Sequence, residues 1–346
     1  MSYPHFSSIS RSFAPGWFAA VMGTGVLSMS TLALSARWPL LAGPAEVLHW
    51  FNVLLFALLA VPWLTRWLRF PQAAMQTLQH PVQANFYPTF SIALLVLAAQ
   101  WVQFGPYVGA ALFFWWAGVI LHFVFSFAVL FFMFRGEHVA LDHVTPAKFI
   151  PAVGLVVMPL AGGPLLAHMD GALREWALTA NIVGLGAGSM MYLGLLGLTL
   201  QRKYLHKPAQ GILTPTVWIH LAPIGVIPVS FMNLAEHFPF PVVREIAAVL
   251  MALVWGFGVW WLVMASLLTW SAKAAGQLPF ALSWWGFTFP LGAFAVESLR
   301  LYKIFGWNSM LVIGVLAWLM LCGFWSLTLW RTARGVLSGG IFQPHP

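Results

Sequence analysis

The stretch WWGFTFPLGAFAVESLR, Trp284 to Arg300, is apolar enough to cross a bilayer, yet it carries Pro290 near its middle and Glu297 and Arg300 at its end. A proline inside a helix removes one backbone hydrogen bond and crowds the carbonyl four residues back, here that of Gly286. A freed carbonyl is costly in hydrocarbon, so such a bend is tolerated only where the helix borders protein or a water-filled cavity. The stretch therefore belongs inside a bundle. The residue before a proline is turned away from helical geometry, which sets Phe289 at the bend. Two readings of Phe289 stand: a plug projecting into a passage, or a ring packed between helices, where phenylalanine is common.

Outward from that stretch, the 346-residue chain is 61% hydrophobic and 7% charged, with a mean hydropathy of +0.85. Soluble domains carry roughly 25% charged residues, so the composition is that of an all-α polytopic membrane protein. The net charge of +8 comes from basic residues scattered singly between apolar runs. They form no basic stripe, which argues against a nucleic-acid partner, and they act as topology signals. The single cysteine, Cys322, excludes an intrachain disulfide and a cysteine-based metal cluster. Residues 1–12 are short and polar, and the run after them is longer than a signal-peptide core, so an uncleaved first span is expected.

A helical crossing needs about 20 apolar residues. Ten such runs are predicted, near residues 13–34, 46–68, 86–105, 107–134, 146–168, 174–200, 214–235, 242–270, 279–301 and 309–331. They form a transport domain over 13–331, between an N-terminal segment, 1–12, and a C-terminal tail, 332–346. Ten crossings put both termini on one side. That side carries eleven lysines and arginines against five on the other, which predicts cytoplasmic termini and a location in the inner (plasma) membrane. Prolines concentrate in the odd-numbered runs (Pro15, Pro88, Pro151, Pro159, Pro164, Pro223, Pro228 and Pro290), whereas the even runs hold only Pro62. Even runs carry tryptophans instead, among them Trp63, Trp115, Trp260, Trp261, Trp318 and Trp330, suited to a lipid-facing surface. The prediction is five hairpins, with kinked odd helices around a central pore and straighter even helices outside.

Several polar residues lie inside the odd runs. Thr24, Ser28, Thr31 and Ser35 share one helical face in the first, which suits either a hydroxyl-lined pore wall or close helix packing. The fifth run, PAVGLVVMPLAGGP, holds three prolines and three glycines. In the seventh, His220 is a candidate pH-sensitive anion ligand or an ordinary hydrogen-bonding histidine, and Ser230, Asn233 and His237 share a face. In the ninth, Gly286, Ala293, Glu297 and Arg300 lie close to one face, with Glu297 and Arg300 expected to pair near the pore mouth and Arg37 at the same end. No lysine, arginine or carboxylate ring sits at the centre of the spans. The pore-lining candidates are thus Thr24, Ser28, Thr31, His220, Ser230, Asn233, Gly286 and Pro290, in a neutral lining that binds an ion weakly and lets it leave.

PGWFAAVMGTGVLS (Pro15 to Ser28), the kinked odd helices and WWGFTFP (Trp284 to Pro290) resemble the tellurite-resistance/dicarboxylate transporter family. That family includes fungal malate permeases and sulfite pumps, bacterial tellurite-resistance permeases and plant slow anion channels. The resemblance covers residues 13–331, and its specific parts are the first and ninth runs. It implies five hairpins around a pore, a homotrimer with one pore per subunit, and occlusion by the phenylalanine before the ninth-helix proline, the place of Phe289. The motif around Gly23, Thr24 and Gly25 is closer to the malate and sulfite branch, while LAPIGVIPVSF in the seventh run matches no single branch.

The leading expectation is transport of a small inorganic or carboxylate anion, a malate-like C4-dicarboxylate or a sulfite- or tellurite-like oxyanion, with the lipid bilayer as the other partner. A chloride- or nitrate-conducting channel is the alternative. An unrelated alternative is a membrane enzyme using Glu137, His138, Asp142 and His143 in the loop GEHVALDHV, four possible metal ligands in seven residues. No zinc-protease motif accompanies them, so neither a resident metal nor a cofactor is expected.

Overall fold

The computed structural model describes residues 4–136, 144–206 and 211–342, and it holds helices and no strand among them. The four candidate ligands of the 137–143 loop lie outside the described residues. Among those described, nine segments are long and apolar enough to cross a membrane: Pro15–Ser35, Pro39–Arg69, Gln83–Phe104, Val108–Arg135, Pro146–His168, Gly171–Leu205, Gly211–Ala235, Val242–Ala274 and Asn308–Leu337. The ninth crossing of the ten, residues 282–305, is more polar than these, because it carries Glu297, Arg300 and Lys303 within one helix. It packs among the others all the same, with nearly every residue from Trp284 to Leu301 buried.

Two shells follow from burial. In the most apolar stretch of the first, third, fifth and seventh spans, 78 to 89% of residues are buried, against 22 to 33% in the even spans. The odd spans form an inner ring and the even spans an outer one. Outer helices run long: the sixth has 35 residues and the eighth 33, lengths of roughly 50 Å that exceed a hydrocarbon core of about 30 Å. Two short helices, Phe6–Ser12 and Pro71–Leu78, lie on the face that carries both termini, where no helix was expected. At the other end of the chain the tenth span runs on to Leu337, six residues beyond the sequence boundary.

Most of the inner-span prolines act differently from the mid-helix kinks that the sequence suggests, although Pro164 and Pro228 do lie inside α-helices. In each inner span a 3-10 segment precedes the main α-helix, and in the fifth a short α-helix, Phe149–Val153, comes before that segment. The 3-10 segments are Pro15–Phe18, Gln83–Phe86, Gly154–Val157, Gly211–His220 and Leu282–Phe287. The α-helices that follow start at Ala19, Thr89, Met158, Leu221 and Thr288, so Pro159, Pro223 and Pro290 fall in a first α-turn, where a missing N–H costs nothing. A run of ten 3-10 residues in the seventh span is long for that geometry. Indole N–H groups tie it to the outer ring: Trp218 Nε1 donates to Thr269 Oγ1 (2.8 Å), and Trp261 of the eighth span donates to the Val217 carbonyl (3.0 Å).

The tryptophans of the even spans therefore divide. Trp260 and Trp330 face outward, as expected of lipid-facing rings, but Trp63, Trp115 and Trp261 are almost fully buried. Trp115 Nε1 donates to the Met158 carbonyl at 2.9 Å, where the fifth span is broken by its prolines. Indoles of the outer ring thus satisfy irregular backbone of the inner one, as a bilayer interior demands.

Candidate functional site

A cavity of about 1160 Å³ opens on the face that carries the termini, and all five inner spans line it. It occupies the halves of the spans that contain the 3-10 segments. Its deepest lining residues are Met22, Ile92, Val157, Val226, Phe289 and Pro290, one or two from each inner span and each at or just past the 3-10 to α joint. Phe289 is 6% exposed and stands at that apolar end, next to Pro290 on the first α-turn of the ninth span. Beyond it the inner helices close on one another. An added Cβ on Gly225 would sit 2.5 Å from the Ala293 carbonyl carbon, so the seventh and ninth spans touch backbone to backbone there.

The wide end is positively charged. Arg11, Arg66 and Arg331 line the cavity, and among the described residues no aspartate or glutamate does. Arg66 is 3% exposed and held by the Phe13 and Ala73 carbonyls and by Thr77 Oγ1, all neutral acceptors. None of these cancels its charge. Arg331 stacks over Trp284 (4.7 Å) and Phe280 (5.8 Å), both on the approach to the ninth span. At an effective dielectric of about 20, a guanidinium about 8 Å from an anion attracts it by about 2 kcal/mol. Three such groups with no opposing acid in the described lining make a vestibule that concentrates anions.

Of the residues singled out from the sequence, Gly286, Phe289 and Pro290 line the cavity. The hydroxyl face of the first span does not. Thr24 Oγ1 accepts from Trp325 Nε1 and Thr31 Oγ1 from Trp318 Nε1, both at 2.9 Å, while Ser28 Oγ donates to the Ala45 carbonyl at 2.8 Å. Those hydroxyls join the first span to the tenth and second, so the packing reading replaces the pore wall. His220 also lies outside the cavity lining. Its ring is packed between Phe149 (4.8 Å) and Trp261 (4.1 Å), and neither nitrogen has a hydrogen-bond partner among the described residues.

Ser230, Asn233 and His237 turn towards the fifth span. Ser230 Oγ donates to the Val156 carbonyl (2.6 Å), Asn233 Nδ2 to Leu160 (3.0 Å), and His237 Nε2 meets the Gly163 carbonyl at 2.8 Å. Pro164 has no N–H to offer the carbonyl four residues back, that of Leu160, and Asn233 supplies the missing donor. The expected Glu297 to Arg300 pair is absent. Arg300 Nη1 instead donates to Asn233 Oδ1 at 2.6 Å, and both Glu297 oxygens are buried without a partner among the described residues. Arg37 is exposed at the end away from the cavity, 5.9 Å from the Trp38 ring. Sequence reasoning missed Arg66 as a cavity residue. The available signal was an arginine one helical turn from Trp63 and still inside an apolar run.

Comparison with known proteins agrees with this architecture. The SLAC1 family model, described as a voltage-dependent anion channel, matches residues 12–333. An uncharacterized transporter of Methanocaldococcus jannaschii is 41% identical over 97% of both chains. A sulfite efflux pump of Trichophyton rubrum is 25% identical over 96% of this chain and 93% of its own length. A malic acid transport protein of Schizosaccharomyces pombe is 20% identical over 96% of this chain and 81% of its own. The family and these relatives are channels and transporters, not enzymes.

Proposed function

Because the chain belongs to the SLAC1, voltage-dependent anion channel family, we propose that it carries small anions through the middle of its inner ring, along a passage occluded at Phe289. The observation that carries this reading is the arginine-rimmed cavity, free of acidic residues among those described and narrowing to Phe289. Sulfite-like oxyanions are the leading cargo and malate-like C4-dicarboxylates the second. A dicarboxylate brings two charges to a deep end where Met22, Ile92, Val157 and Val226 offer no cation, which favours the smaller ion. A tellurite-like oxyanion belongs to the same chemical class.

A monovalent channel for chloride or nitrate is the second reading. It draws support from the same apolar deep end, since a lining without fixed charge holds an ion weakly and releases it quickly. The protein is expected to sit in the plasma membrane as a homotrimer, one passage per subunit, with its termini and the vestibule in the cytoplasm, as the eleven-to-five charge bias argues.

A reconstituted flux assay tests the proposal. Liposomes bearing the full chain are loaded with labelled sulfite, and unlabelled sulfite, malate, nitrate and chloride compete in turn. Competition strongest by sulfite supports the leading cargo, and strongest by nitrate or chloride supports the channel reading. Absence of protein-dependent flux of any of the four removes the proposal.

A further inference from the structure

Among the described residues, Glu297 is the one carboxylic acid that the fold buries completely, at 0% exposure. Its position follows from the phase of the ninth helix. Thr288 packs against Gly23 of the first span, Gly292 against Val26 and Leu321 of the first and tenth, Phe294 against Gly258 of the eighth, and Ser298 against Gly314 of the tenth. The remaining sector faces the seventh span, whose Gly225 meets Ala293 and whose Asn233 accepts from Arg300, and beside it the middle of the ring. At 100° per residue it holds Phe289, Pro290, Ala293, Glu297 and Arg300 within about 100° of arc. Two of these, Phe289 and Pro290, line the cavity. Glu297 therefore stands on the same line, about 12 Å beyond Phe289 along the helix.

A structural carboxyl at such a depth is hydrogen-bonded as a rule. Here neither oxygen has a partner among the described residues, and the nearest arginine in sequence is engaged by Asn233 instead. The titratable groups nearest it on the elements packed against it lie towards the far end, whereas His220 of the seventh span and Arg331 and Arg334 of the tenth lie towards the vestibule. The far-end groups are Arg300, Tyr302 and Lys303 on its own helix, Glu236 and His237 at the end of the seventh span, Arg37 after the first, and Arg244 and Glu245 at the start of the eighth; the tenth brings none before Cys322. A free carboxyl beside an anion's path has two opposite effects. As the acid it offers an O–H donor, and as the carboxylate it repels.

We propose that Glu297 is a second checkpoint of the passage, beyond Phe289: in its acid form it hydrogen-bonds and passes a small anion, and in its ionised form it turns the anion back. The inference rests on the passage proposed above and adds a proton-controlled filter to it. The cargo chemistry it suits is a small anion with acceptor oxygens, such as sulfite or nitrate. Anion flux then falls as pH rises, through this one residue.

The test uses proteoliposomes of the full chain in four forms: wild type, Phe289→Ala, Glu297→Gln and the double variant. Nitrate and sulfite fluxes are measured with the same pH on both sides, stepped from about 5 to about 8. The readout is the flux of each Glu297→Gln form divided by that of the matching form that keeps the glutamate, a ratio in which any titration of the cargo cancels. The expected ratio climbs about tenfold across that range, as repulsion equivalent to a tenfold factor sets in on the glutamate forms. A flat ratio overturns the checkpoint while leaving the passage intact. Failure of Phe289→Ala to pass either ion removes the passage, and the checkpoint with it, before any ratio is taken. A second measurement needs no variant. The chain has only eight carboxyl side chains, so adding nitrate to the wild-type protein at low pH is expected to shift one carboxylic C=O band in an infrared difference spectrum. No shift counts against the proposal even if Glu297→Gln does not fold.

Discussion

The two halves of the inner ring are built from the same five spans and behave as different materials. On the side of the termini the spans, each with a 3-10 segment, stand apart, enclose about 1160 Å³ and carry three arginines at the rim. Past Phe289 they are α-helices whose small residues let backbone meet backbone, as at Gly225 and Ala293. Proline does not simply bend these helices. It sets the level at which one geometry hands over to the other, and Phe289, the ring proposed to occlude the passage, sits at that level. On the proposed function, an anion is gathered where the backbone is loose and held up where it becomes tight.

The largest expected effect breaks the tight half. Gly225→Val places a branched side chain against the Ala293 carbonyl and the Phe294 amide, and overpacking of this kind costs about 1 to 3 kcal/mol or more where backbone cannot yield. The purified variant is expected to melt well below the wild type or to aggregate on size exclusion. A wild-type melting curve would show that the far half is not closely packed. Next comes Asn233→Leu, which leaves the Leu160 carbonyl without its donor and Arg300 without its acceptor. A buried unsatisfied group costs about 1 to 3 kcal/mol, and the same melting assay is expected to register it.

These two positions also show what was legible from the sequence. Alternation of prolines between odd and even runs disclosed the inner ring, because a broken helix needs protein around it. Partnerships at long range were not legible. Thr24 and Thr31 read equally well as a pore wall until their hydroxyl oxygens are seen to accept from Trp325 and Trp318, 301 and 287 positions away. Glu297 and Arg300 have the spacing of a pair, yet Arg300 turns to Asn233, 67 positions back. His220 has the chemistry of an anion ligand, but its ring is held between two aromatic neighbours outside the cavity. Local spacing fixes which face a residue occupies, whereas the partner on that face depends on how ten helices assemble.

Smaller effects sharpen the contrast from the loose side. Arg331→Gln removes one of three rim charges without touching the tight half, so anion flux is expected to fall about threefold at low ionic strength and to converge on wild type in high salt. A loss independent of salt would place Arg331 in packing against Trp284 and Phe280 and not in gathering anions. Thr24→Val gives the smallest change. It deletes the acceptor for Trp325, a loss of about 1 kcal/mol of stability, and is expected to leave flux through the folded protein unaltered. A changed flux would return the first-span hydroxyls to the passage.

The boundary between the halves is tested most directly by substituting the ring that stands on it. In liposomes of matched protein content, Phe289→Ala is expected to raise sulfite or nitrate flux about tenfold over wild type, equivalent to lowering a barrier by about 1.4 kcal/mol. Flux equal to wild type from a variant that elutes and melts like the native protein would contradict the account, because ions would then have to cross somewhere other than the axis of the five inner helices.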